Sequence, residues 1–103
     1  MGQIINVTTK EELGELLESK KDANVLLDFH AEWCGQCKQI SPQLERLAEE
    51  TDISVLKINV DEVPELASEY EVMGIPALKA VKNKEVVNQA NGFLPAEALK
   101  QLF

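Results

Sequence analysis

The chain is poor in cysteine, with two residues in 103, and holds a single histidine. Two thiols cannot make the multi-bridge framework of a small secreted scaffold, and a chain of this length supports one core without such staples. They also fall short of a structural zinc site, which takes four ligands; no second Cys-x-x-C exists, and only His30 is left to join them without recruiting a carboxylate. No stretch approaches the roughly 18 consecutive apolar residues of a membrane span, and no basic-then-apolar leader opens the sequence. The expectation is a cytoplasmic protein. Basic residues are scarce as well: 10 Lys plus Arg against 18 Asp plus Glu give a formal charge of −8, which repels nucleic acid and anionic lipid. Repeats, linkers and low-complexity segments are lacking, so residues 1–103 are expected to form one domain of ordinary globular composition.

What is present is organised around Ala31-Glu32-Trp33-Cys34-Gly35-Gln36-Cys37-Lys38, which holds both cysteines. Upstream, residues 24–30 form an apolar run of strand length, interrupted by Asp28 and ended by His30. Downstream, Ile40, Leu44, Leu47 and Ala48 recur at the spacing of one helical face. Cys34 is therefore expected at a strand-to-helix turn, where unpaired backbone N–H groups and the helix dipole favour thiolate over thiol. That makes Cys34 the nucleophile. Cys37 lies almost one turn further in, within reach of Cys34 for a small disulfide ring, and reads as the resolving thiol. Gly35 keeps bulk away from the attacking sulfur, and Trp33 offers an apolar surface for a partner protein.

The rest of the chain alternates strand and helix. Residues 3–7 read as a strand; Thr9 and Glu12 form a capping-box pattern ahead of a helix that buries Leu13, Leu16 and Leu17. A helix is expected over residues 34–50 with Pro42 inside it, a strand over 53–60, and a helix over 61–70, with Pro64 near its start and Leu66, Ala67 and Tyr70 inward. Such alternation argues for right-handed β-α-β crossovers and a parallel core. Residues 77–81 and 85–90 then read as a hairpin with Asn83 supplying the turn, followed by a closing helix over 95–103 that starts on Pro95 and turns Leu99 and Leu102 to the sheet.

The flanked Cys-x-x-C, the preceding Leu27-Asp28-Phe29, the following Lys38 and the distant Gly74-Ile75-Pro76 together resemble the thioredoxin family nearly end to end. The resemblance implies a thioredoxin-like α/β fold: a central mixed sheet of five strands in the order 1-3-2-4-5, the last two antiparallel, flanked by four helices. It implies a monomeric protein-disulfide reductase with no cofactor beyond a Cys34–Cys37 disulfide, a thioredoxin reductase as electron donor and disulfide-containing proteins as targets. Asp28 would take the proton from Cys37. From the residues alone a second reading stands, a carboxylate turned to solvent at a sheet end, because an ionised group inside the sheet would cost several kcal/mol unless paired or neutralised. Lys57 would moderate the cost of ionising Asp28, or else be a solvated surface lysine. Pro76 would be cis and let the Ile75 backbone pair with an extended target segment. Trp33, Gly35, Val60, Gly74, Ile75 and Gly92 would form the target-binding surface.

The sequence also departs from the family. Gln36 stands where proline is usual, freeing the loop and adding an amide N–H near the sulfurs; both favour the dithiol and a more oxidising couple. His30 replaces a tryptophan while Asp61, taken as that indole's acceptor, is retained. His30 is then either a partner of Asp61 with a raised pKa and a pH-dependent activity, or a tolerated substitution at a half-exposed site. Asn91 stands at a usually small apolar position, Ala77 where threonine is usual, and Lys79-Ala80-Val81 replaces a more apolar strand, which suggests a thinner core there. Two other functions use the same residues differently: a disulfide oxidase or isomerase, and a redox-silent binding module.

Overall fold

The computed structural model describes residues 1–103 and puts the apolar run Asn24–His30, strand β2, at the centre of a five-stranded sheet. In chain order the elements are β1 (Ile4–Val7), α1 (Lys10–Ser19), β2, α2 (Gly35–Glu50), β3 (Ser54–Asn59), α3 (Pro64–Glu69), β4 (Ala77–Lys82), β5 (Glu85–Asn91) and α4 (Ala96–Lys100). The sheet order is β1-β3-β2-β4-β5, with β1–β3 and β2–β3 parallel and β2–β4 and β4–β5 antiparallel. This is the thioredoxin-like architecture expected above. No helix is long and apolar enough to cross a membrane.

Because successive strand residues face opposite sides, β2 feeds two cores. Val25, Leu27 and Phe29 pack with Leu13 and Leu17 of α1 and Leu66 of α3; Leu26 packs with Ile40, Leu44 and Leu47 of α2 and Leu99 of α4. Asp28 and His30 follow Leu26 on the α2 side. The strand is thus covered on both faces, as its unbroken Val25-Leu26-Leu27 run suggested.

Several boundaries differ from the sequence reading for local reasons. Thr9 Oγ1 accepts from the Glu12 N–H at 3.1 Å, but the Glu12 carboxylate reaches past Thr9 to accept from the Thr8 N–H at 2.7 Å. The third helix begins only at Pro64, because Asn59 Oδ1 accepts from the Asp61 and Glu62 N–H groups and holds that stretch as a turn. Pro95 caps α4 from an extended conformation instead of sitting inside it, and the helix ends at Lys100. Asn83 and Lys84 both have positive φ, 51° and 69°, the pair of left-handed residues a two-residue hairpin requires. The expected thinning at β4 takes a specific form: Ala80 fills one face, and Lys79 is buried to 7% exposure on the other, its ammonium donating to Gln89.

Candidate active site

β2 ends at His30, the chain turns through Ala31 to Trp33, and Cys34 becomes the N-cap of α2. Its backbone is extended, φ −92° and ψ 110°, and its sulfur fills the place a serine or aspartate oxygen would take, accepting from the Cys37 N–H at 3.2 Å. No acidic side chain lies in the first turn of α2, so nothing there offsets the positive end of its dipole. Cys34 and Cys37 form a disulfide with Cα atoms 5.3 Å apart. As whole residues both are covered, at 7% and 5% exposure, so helix position and not burial tells them apart. Ala31, Val60 and Ile75 pack around the bridge.

Two backbone segments close the ring around the disulfide. The Ile75–Pro76 peptide is cis, and the Pro76 carbonyl accepts from the Gly92 N–H at 2.8 Å. Gly92 has φ +86°, a conformation that favours glycine. The Asn91 side-chain amide donates to the Gly74 carbonyl at 2.9 Å, tying the strand end to the loop that carries Ile75. Gln36, expected to loosen the turn, does the reverse with its side chain: Oε1 accepts from the Phe93 N–H at 3.2 Å and fastens α2 to the loop after β5. A Cβ on Gly35 or Gly74 would meet nothing within 4 Å, so those two glycines border open surface.

On one side of the disulfide, Trp33, Val60, Val72, Met73, Gly74 and Ile75 line an apolar groove of about 410 Å³. Trp33 is 71% and Met73 95% exposed, far more than the buried aliphatics of the core. Trp33 is held by its indole N–H, which donates to Asp61 Oδ2 at 2.9 Å. Of the two readings of His30, the pairing with Asp61 is not formed: Asp61 accepts from Trp33, and no hydrogen bond joins it to His30. His30 is half-buried, and its pKa lies below the ordinary histidine value, because burial and then the Lys57 charge outweigh the pull of Glu32 and Glu62.

Asp28 lies beneath this surface at 1% exposure, which excludes the solvent-facing reading. Neither of its oxygens accepts a hydrogen bond from the protein. Burial pushes its pKa up to about 6, and Lys57, opposite it in the β2–β3 register, pulls the other way. A carboxyl poised near 6 can accept or release a proton at neutral pH. Lys57 is half-buried and lines a cleft of about 140 Å³ with His30, Glu32, Cys37, Lys38 and Ser41. The fold thus brings Cys34, Cys37, Pro76, Ile75, Val60 and Gly92 together, with Asp28 and Lys57 behind them. Sequence reasoning did not single out Met73 or Phe93; an exposed apolar residue carries no signal until its neighbours in space are known.

Comparisons with known proteins agree with this geometry. Residues 4–103 match the family model described as Thioredoxin. The chain is 50% identical over 80 residues to thioredoxin from Bacillus subtilis (strain 168), covering 76% of this chain and 77% of that one. It is 43% identical over 102 residues to thioredoxin from Staphylococcus epidermidis, covering 96% and 93% of the two chains. Among solved structures, reduced Schistosoma mansoni thioredoxin pre-protein superposes with a TM-score of 0.91 at 34% identity, covering 98% of this chain and 96% of that chain. A mutant thioredoxin from Halobacterium salinarum gives 0.90 at 40% identity, with 97% and 87% covered.

Proposed function

The chain belongs to the thioredoxin family and is a thiol–disulfide oxidoreductase, and from that premise we propose the following division of labour among its residues. The Cys34 thiolate attacks a target disulfide, forming a Cys34–target mixed disulfide and expelling one target thiolate. Cys37 gives its proton to the Asp28 carboxylate and attacks Cys34 Sγ, closing the Cys34–Cys37 bridge and releasing the second target thiol. The target gains two electrons and this protein loses them; a thioredoxin reductase resupplies them. The disulfide described here is the oxidised end of that cycle.

The observation that carries this reading is the Cys34 sulfur at the N-cap of α2, accepting the Cys37 N–H, with the unpaired buried carboxylate of Asp28 on the face of β2 that α2 covers. Lys57 limits the cost of ionising Asp28. The groove beside the bridge, with Trp33, Val60, Gly74 and Ile75, receives the target, Gly35 and Gly74 leave its backbone room to approach, and the Pro76–Gly92 hydrogen bond holds the loop that carries Ile75. Gln36 and Asp61 act on the reaction by holding Phe93 and Trp33.

We further read residues 1–103 as one thioredoxin-like domain acting as a monomer in the cytoplasm, where a reducing pool keeps such a pair cycling, with Cys34–Cys37 as its redox group and disulfide-containing proteins as targets. Cys37→Ser is the decisive variant. It should accumulate mixed disulfides through Cys34, and Cys34→Ser should abolish both trapping and reduction. Retained reduction by Cys34→Ser would reject the scheme.

A further inference from the structure

The scheme above leaves the His30 imidazole unused. His30 lies two residues beyond Asp28 on the same face of β2, the face under α2, and its β3 neighbour Asn59 follows Lys57 with the same spacing. From the buried carboxylate the strand therefore leads through His30 to the rim of the sheet. The 140 Å³ cleft that touches Cys37 is lined by His30, Glu32 and Lys57. A second opening of about 320 Å³, on the side of Thr8 and Glu62, is lined by the same three residues. His30 thus borders two adjoining clefts, a small one that reaches the resolving sulfur and a larger one on the side of Glu62.

The charged groups around it come from every packed element: Asp28 from its own strand, Lys57 from β3, Glu32 from the turn after β2, Glu62 from the turn after β3 and Lys38 from α2. Burial and Lys57 keep the imidazole neutral at pH 7, so its free nitrogen can accept a proton.

We propose that His30 is the proton port of this protein, carrying to solvent the proton that Cys37 deposits on Asp28. The proposal rests on Asp28 being the acceptor for Cys37. Cys37–SH transfers its proton to Asp28–COO⁻ as the sulfur attacks Cys34 Sγ; Asp28–COOH passes it to the His30 imidazole; the imidazolium, favoured by Glu32 and Glu62, releases it to solvent in the clefts that His30 borders. The leaving target thiolate takes a proton from solvent, so the balance closes without a further reactant. His30 acts through Asp28 and is a positioning residue for the proton.

The test follows the full protein, reduced, mixed with Ellman's reagent in a stopped-flow instrument. A first release of chromophoric thiol reports Cys34 attack, and a second reports Cys37 resolution. In dilute buffer at pH 7, His30→Phe and His30→Gln should each slow the second phase by roughly tenfold, less than the ~100-fold or more of a directly acting acid–base group because His30 acts through Asp28. Free imidazole should restore it in both variants, an effect that lost packing does not give. A second phase at the wild-type rate, or a slow one that imidazole leaves slow, overturns the port. Asp28→Asn separates the two claims: if it resolves at the wild-type rate, the role of Asp28 itself falls, whereas a slow Asp28→Asn beside an unaffected His30→Phe removes His30 alone.

Discussion

Asp28 lies directly opposite Lys57 across the parallel β2–β3 pair, yet neither carboxylate oxygen accepts a hydrogen bond from the protein. The lysine therefore acts on the carboxyl through space, and burial wins: the pKa rises from 3.8 to about 6.

That rise sets the sign of a stability change with pH. The folded protein binds the Asp28 proton more tightly than the unfolded chain does, so below 3.8 the group costs nothing, and as pH climbs from 3.8 through about 6 the folded state loses ground. The full shift corresponds to about 3 kcal/mol above that window. Asp28→Ala should stabilise the protein at pH 8 by somewhat less, because a small cavity replaces the carboxyl, and should give no gain at pH 3.5. Urea unfolding at the two pH values checks this; a variant less stable at pH 8 contradicts it.

Gln36 puts an amide N–H where the family has proline, and that donor near the sulfurs should make the Cys34–Cys37 couple more oxidising than the thioredoxin value of about −270 mV, yet below the roughly −180 mV of protein disulfide isomerase. Gln36→Pro should move the potential down, read by equilibration with glutathione. Gln36→Met keeps the length of the side chain and removes its acceptor, so the Phe93 amide, bonded to Gln36 at 3.2 Å, should exchange hydrogen faster. An unchanged Phe93 exchange rate would mean the tether is not formed in solution.

Asp61→Ala releases the Trp33 indole, which is 71% exposed and has Asp61 as its hydrogen-bond acceptor. One such bond is worth about 1 kcal/mol, so KM for protein disulfide targets should rise about fivefold while kcat holds. Stability should move by no more than about 0.5 kcal/mol, because the pair is at the surface. A loss confined to kcat would speak against a docking role for Trp33.

Lys79 is buried on β4 opposite Leu27, with its ammonium donating to Gln89 and with Glu69 and Glu71 lining the same recess. Lys79→Met keeps the aliphatic stem and removes a charge that folding must desolvate. It should stabilise the protein by about 1 kcal/mol, more at high salt, where the glutamates help the native lysine less. Thermal melts at low and high salt decide it; destabilisation at both would show that the ammonium is net favourable.

Sequence alone determined the element types, the burial of β2 on both faces and the place of Cys34 at a helix start, while the sheet order came from the resemblance to the thioredoxin family. The first three depend on short-range periodicity or on fixed spacing along the chain, as with Leu26 against Leu27 or Cys34 against Cys37. Only the tertiary structure decided that Asp28 is buried rather than turned outward at a sheet end, since that depends on how far the helices on either face cover the end of β2. It also decided that Asp61 belongs to Trp33 and not His30, and that Gln36 fastens Phe93 instead of freeing a loop. Those partners are 28 and 57 residues apart, and side-chain hydrogen bonds over such distances are chosen by which backbones the sheet and its loops bring within 3 Å or so. A linear pattern carries no record of that choice.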